Sequence, residues 1–104
     1  RTDLIIAGSA NIFPAEIEAV ISQDPRVKDV AVIGLKDDDL GRRVHAVVEA
    51  LDAANPPDEG TLLDLCQAQL LRYKVPRSLE IVATLPRTEA GKIRRSQLRD
   101  ERGG

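Results

Sequence analysis

Two apolar runs on either side of a charged turn limit what this chain can become. Val30-Ala31-Val32-Ile33 is nearly continuous and rich in β-branched residues, a composition that suits a pleated, buried surface. It predicts a strand from Val27 to Leu35. Lys36 to Gly41 is a charged turn. Beyond it Val44, Ala46 and Val48 alternate with His45, Val47 and Glu49. That period of two predicts a second strand, Arg43 to Leu51, antiparallel to the first. With one Phe, one Tyr and no Trp, the core around this pair has to be aliphatic.

The flanks supply helices. Asp3 to Phe13 reads as two short extended segments around Gly8-Ser9, which is turn material. Pro14 suits the first turn of a helix. Ile17, Val20 and Ile21 then share one face up to Ser22, with Glu16 and Glu18 assigned to the dipole-favoured first turn. Asp52 to Gly60 is a loop. Thr61 to Arg72 is a second amphipathic helix, with Thr61 and Asp64 as a variant capping box and Leu62, Leu63, Leu65, Cys66 and Leu70 facing the sheet. Tyr73 to Arg77 is a basic bend around Pro76, Leu79 to Val82 a third strand, and Ser96 to Glu101 a last helix. The class is α+β: an N-terminal β-hairpin, then a three-stranded sheet packed by helices.

Composition narrows the function. At 104 residues, 42% hydrophobic and 31% charged, the chain is one small globular domain. A net charge of −2 argues against general nucleic-acid binding. The single cysteine cannot form an internal disulfide, which predicts a reducing cytoplasm. No apolar run approaches the ~20 residues of a membrane span. The opening Arg1-Thr2-Asp3, without Met, reads as a piece of a longer protein.

The conventional catalytic signatures are missing. The glycine spacings of a dinucleotide fingerprint or a P-loop do not occur. Asp37-Asp38-Asp39 lacks the alternating ligands and closing Glu of a calcium loop, so it reads as a solvated turn and no metal ligands are assigned. His45 has no nucleophile at a recognisable elbow, and Cys66 lies on an apolar helix face as a small core residue. One stretch stands apart: Leu85-Pro86-Arg87-Thr88-Glu89-Ala90-Gly91-Lys92-Ile93-Arg94-Arg95. Polar residues and Gly91 form an exposed turn, and Lys92 at its tip offers a compact charge on a flexible stem.

Both ends of the chain resemble one family. Arg1 to Glu18, which contains Asp3-Leu4-Ile5-Ile6-Ala7-Gly8-Ser9-Ala10-Asn11-Ile12-Phe13-Pro14, resembles the hinge motif of adenylate-forming enzymes: acyl-CoA synthetases, adenylation domains of peptide synthetases, and luciferases. Pro86 to Lys92 resembles their terminal Pro-x-x-x-x-Gly-Lys motif. The Asp-rich turn with Gly41 and the Tyr73-Lys74-Val75-Pro76 bend are similar as well. The match spans essentially the whole chain and is most like the fatty-acid or aryl-acid CoA ligases.

The resemblance implies that residues 1–104 are the mobile C-terminal domain of a two-step ligase, with residues 1–3 a hinge remnant. ATP and a carboxylic acid would give an acyl-adenylate and pyrophosphate, and CoA would then displace AMP. The N-terminal adenylation domain would hold most of the acid and ATP pockets and bind Mg2+, so the isolated domain would be inactive. Lys92 matches the adenylation lysine, and its acetylation would remove the charge. Thr2 and Asp3 match the hinge, with Thr2 where Asp or Lys is usual. Gly8 and Ser9 match the loop along the pantetheine tunnel, with Ser9 where Gly is commoner. Tyr73, Lys74 and Arg77 match positions that contact the CoA nucleotide. Alternatives are an adenylation enzyme loading a carrier protein and a non-catalytic module binding anions through Arg94, Arg95, Arg99 and Arg102.

Overall fold

The apolar runs form the centre of the sheet. In the computed structural model, which describes residues 4–104, they are β3 (Val27–Asp37) and β4 (Gly41–Ala50), as numbered in chain order. A small hairpin, β1 (Ile5–Ala7) and β2 (Ala10–Ile12), precedes α1 (Pro14–Ile21). After β4 come α2 (Glu59–Gln69), a 3-10 turn (Arg72–Lys74), β5 (Ser78–Val82) and α3 (Arg95–Glu101). The main sheet has the order β3-β4-β5, with β3 antiparallel and β5 parallel to β4. The fold is α+β, as the pattern of elements predicts.

The apolar runs are nearly continuous because both faces of the sheet are covered. One face carries Val30, Val32, Val44, Ala46 and Val48 against Ile17 and Ile21 of α1, Leu62 and Cys66 of α2, and Ile5 and Ile12 of the hairpin. The other carries Ala31, Ile33, Leu35 and Val47 against Leu85 and Leu98. Burying an aliphatic side chain of this size contributes ~1.5–3 kcal/mol, so each layer is held chiefly by these contacts. Gly34 has a packing reason: a Cβ there would stand 3.1 Å from Cγ2 of Ile5. Its absence lets the hairpin lie against the sheet.

Several local expectations need correction. The second helix begins at Glu59 rather than Thr61, because Asp58 is the N-cap and its Oδ2 accepts from Thr61 N at 3.0 Å. Asp58 with Thr61, not Thr61 with Asp64, is the capping pair. The helix ends at Gln69 rather than Arg72, since Leu70 is extended (φ −113°, ψ 151°). Leu70, Leu63 and Leu65 are only half-buried against the core that Leu62 and Cys66 enter fully. Glu18 does not act as a first-turn dipole residue: its carboxylate accepts from Val32 N at 2.8 Å, satisfying the outer edge of β3.

Candidate functional site

The lysine loop is a small, tightly closed hairpin. Thr88 N donates to Lys92 O at 2.8 Å and Gly91 N to Thr88 O at 2.9 Å. Thr88 Oγ1 accepts from Lys92 N at 3.2 Å. Gly91 sits at φ 86°, a left-handed conformation that costs a non-glycine residue ~1–2 kcal/mol. Arg87 and Ile93 form an isolated bridge, and Arg94 N donates to Pro86 O at 2.9 Å. The tip is Glu89-Ala90-Gly91, so Lys92 stands one residue past it, on the returning shoulder. It is exposed and forms no ion pair among the described residues.

Arginines fasten the surrounding segment to the sheet. Arg87 Nη2 lies 2.5 Å from Glu49 Oε1 and 3.1 Å from Asp29 Oδ2, and these two carboxylates hold its guanidinium firmly in the charged form. Arg95 Nη2 lies 2.8 Å from Glu18 Oε2, while its Nη1 donates to Val32 O at 3.0 Å. Glu18 and Arg95 thereby satisfy both backbone groups of Val32, where an edge strand would otherwise offer them to another chain. Arg102 Nη2 donates to Glu80 Oε2 at 3.0 Å. Arg95 and Arg102 are thus engaged internally. Of the four arginines in the anion-binding alternative, only Arg94 and Arg99 have no ion pair among the described residues.

Gly8 and Ser9 form the turn of the first hairpin. Gly8 (φ 62°) donates from its N–H to Leu40 O at 2.8 Å, which rests this turn on the β3–β4 turn; Ser9 is exposed. Tyr73 and Lys74 lie in the 3-10 turn. Tyr73 is 53% exposed, leaving an aromatic face free, and Lys74 Nζ is 5.7 Å from its ring centre. Lys74 Nζ also lies 2.8 Å from Glu16 Oε1, a partner that stabilises its charged form. Arg77 N donates to Val44 O at 2.9 Å, and its exposed side chain lines a surface cavity of about 440 Å³ with Gln67, Leu70, Arg72, Val75 and Pro76.

These groups lie toward opposite ends of the sheet. Gly8 is tied to Leu40 in the turn before β4 and Arg77 to Val44 further along the strand, while the lysine loop is anchored on Glu49 near its far end. At about 3.3 Å per residue the chain runs ~30 Å from Leu40 to Glu49 and ~17 Å from Val44 to Glu49. The hinge candidates Thr2 and Asp3 lie outside the described residues.

Sequence reading did not find the polar row on β4 and β5. His45 Nδ1 is 2.6 Å from Ser78 Oγ and its Nε2 is 2.7 Å from Glu80 Oε1. His45 and Ser78 are register partners; spacing in the chain carries no sign of that. The row is structural, because His45 is buried and the Glu80 carboxylate is shared with Arg102. First Arg102 and then His45 pull the Glu80 pKa down to about 2 from 4.5. Glu80 therefore stabilises the fold fully above its unfolded value, and that contribution disappears as pH falls from about 4.5 to about 2. In urea titrations, wild type should exceed Glu80→Gln in stability at pH 6 and the gap should close by pH 2. A gap that persists at pH 2 would contradict the assignment.

The remaining candidates are inert. Cys66 is fully buried, and burial pushes its thiol up to about 11. Asp37 Oδ2 accepts from Asp39 N and Leu40 N, closing the acidic turn on itself. Among the described residues no group of three His, Cys, Asp or Glu side chains is placed to hold a metal ion, and no helix is long and apolar enough to cross a membrane.

Comparison with known proteins gives one consistent family. The model of the AMP-binding enzyme C-terminal domain matches residues 16–92. A 2-succinylbenzoate–CoA ligase of Listeria monocytogenes is 45% identical over 100 residues, covering 96% of this chain and 21% of that protein. The solved Mycobacterium tuberculosis fatty acyl CoA synthetase superposes with a TM-score of 0.88 at 40% identity, over 96% of this chain and 20% of that one. The o-succinylbenzoate CoA synthetase of Bacillus subtilis, solved with its acyl-adenylate intermediate, gives 0.86 at 38% identity over 100% of this chain and 21% of that one. The chain thus spans about a fifth of the length of these relatives.

Proposed function

The chain belongs to the family of AMP-binding enzyme C-terminal domains, and on that premise we propose that it is the mobile C-terminal domain of an acyl-CoA synthetase. Residues 1–3 are its hinge to an N-terminal adenylation domain. In the first step a fatty or aryl carboxylate attacks the α-phosphate of ATP. An acyl–phosphate bond forms, and pyrophosphate leaves. The Lys92 ammonium offsets the negative charge that accumulates as the carboxylate oxygen meets the α-phosphate. In the second step the CoA thiol attacks the acyl carbon. The thioester forms, and AMP leaves with the bonding pair. Gly8 and Ser9 line the pantetheine path, and Tyr73, Lys74 and Arg77 receive the nucleotide end. Tyr73 offers an aromatic face for adenine. Arg77, with no ion pair among the described residues, is the cation for phosphate, and Lys74 is available to it only by leaving Glu16. Mg2+ is held with ATP by the N-terminal domain. A buried, unreactive thiol suits the cytoplasm.

The observation that carries this reading is the separation of the two groups along β4. The Gly8–Ser9 turn, ~30 Å along the chain from the anchor of the lysine loop at about 3.3 Å per residue, is too far from it for both to face the reacting centre in one pose. A domain that rotates about a hinge can present its lysine loop in one step and its turn end in the other. The test is Arg77→Ala in the full-length enzyme. Loss of one phosphate contact should raise the KM for CoA about tenfold, on the order of 1.4 kcal/mol, with acid-dependent pyrophosphate exchange unchanged. An unchanged KM for CoA would remove Arg77 from the site, and a matching fall in pyrophosphate exchange would argue against two separate ends.

A further inference from the structure

Asp29 and Glu49 stand directly opposite each other on neighbouring antiparallel strands. Like charges in that relation repel. The next pair on the same face, Ala31 with Val47, is apolar and fully buried. Glu49 is itself only 3% exposed, and a carboxylate that deep persists only with a close partner. The strand is irregular here, with a register shift between Val27 and Asp29, a feature that re-aims side chains. Lys28 is a poor partner for Glu49, at 3.9 Å and with its side chain 55% exposed. The partner at close range is Arg87, whose Nη2 bonds both carboxylates.

Arg87 belongs to the lysine loop. Its backbone bridges Ile93, the residue after Lys92, and its carbonyl accepts from Arg94 Nε at 3.3 Å. Whatever fixes Arg87 therefore fixes the shoulder from which Lys92 extends. We propose that the Asp29–Glu49 pair is a socket on the sheet and that Arg87, seated in it, is a positioning residue for adenylation, holding the loop so that Lys92 meets the reacting carboxylate and phosphate. This rests on the adenylation role proposed for Lys92. The socket is far from the turn end of β4, so the thioester step does not depend on it.

The test uses the full-length enzyme and reads both half-reactions. Arg87→Ala leaves the buried Glu49 carboxylate with only the distant Lys28 and risks the fold, so the main variant is Glu49→Leu combined with Arg87→Met, which removes the plug and the buried half of the socket and leaves the half-exposed Asp29; such exchanges of buried pairs are often neutral for stability. Arg87→Lys, which keeps the charge without the fork that reaches both carboxylates, serves as the second variant. Acid-dependent pyrophosphate exchange should fall about 10- to 100-fold in kcat for the paired variant and less for Arg87→Lys, with KM for ATP and acid unchanged. Thioester formation from supplied acyl-adenylate should stay within about twofold. Added to Lys92→Ala, the paired variant should cause no further loss, since a mispositioned lysine costs nothing once the lysine is gone. Exchange at wild-type rate in both variants, an equal fall in both half-reactions, or an undiminished further loss in the Lys92→Ala background would each overturn the positioning role while leaving Lys92 in place. Lys92→Ala with unaltered exchange would instead overturn the adenylation role, and the positioning role with it.

Discussion

Replacing Lys92 with alanine should lower acid-dependent pyrophosphate exchange in the full-length enzyme by about 100- to 1,000-fold in kcat, the scale of removing one preorganised charge or donor from a reacting centre. Three features of the loop set that expectation. The backbone is closed by three hydrogen bonds around Thr88 and by the Arg87–Ile93 bridge, so the stem of the side chain is fixed. The side chain is exposed and has no ion pair among the described residues, so no internal carboxylate competes for it. Most nearby arginines differ, being pinned to Asp29, Glu49, Glu18 and Glu80. KM for ATP should change little, because in the proposed role the charge acts mainly as the carboxylate and phosphate come together. Lys92→Arg should recover only part of the loss, since a planar fork does not reproduce a point charge on a flexible stem. Exchange within threefold of wild type would exclude the role.

Leu98→Ala should cost about 3 kcal/mol, within the ~2–5 kcal/mol range for removing a buried leucine side chain. Leu98 is 2% exposed and is the only buried residue of α3. A helix this short has no stability of its own in water, and α3 has no side-chain cap at its N-terminus. It stays folded because Leu98 enters the layer formed with Leu85, Ile33 and Val47. The loss is large against the ~5–15 kcal/mol that holds a small domain together. Urea unfolding should show a lower midpoint, and Leu98→Met should recover most of it, since volume-conserving swaps cost less than about 1.5 kcal/mol. A loss under 1 kcal/mol for Leu98→Ala would mean that the ion pairs of Arg95 and Arg102 alone hold the helix.

The hairpin, the central strands and the first two helices were legible because each carries a local signal: turn residues, a continuous apolar run, or a period of two or about 3.6. Val30 to Ile33, the alternation around Val44 to Val48, and the Ile17-Val20-Ile21 face needed no tertiary information. Boundaries were less visible. Asp58 outcompeted Thr61 as a cap because a carboxylate two residues after Pro56 was free to reach the Thr61 N–H, and Leu70 left its helix to pack as an extended residue. The lysine loop was visible from Pro86, Gly91 and Lys92. Its anchoring was not: the Asp29–Glu49 pairing depends on strand register, and Arg87, Arg95 and Arg102 find their carboxylates far away in the chain. The same holds for His45 between Ser78 and Glu80. The positions proposed for CoA rest on motif resemblance, whereas the anchoring of Gly8 on Leu40 and of the lysine loop on Glu49 appears only in the fold.

The most direct measurement compares wild type with Lys92→Ala in the second half-reaction, supplying preformed acyl-adenylate and CoA and timing thioester release against the loss of pyrophosphate exchange. Thioester formation at near the wild-type rate, with exchange collapsed, is the expected result, because under the proposed rotation the turn end of the sheet faces the centre in that step. Loss of both half-reactions together would contradict a domain that works from two separate ends.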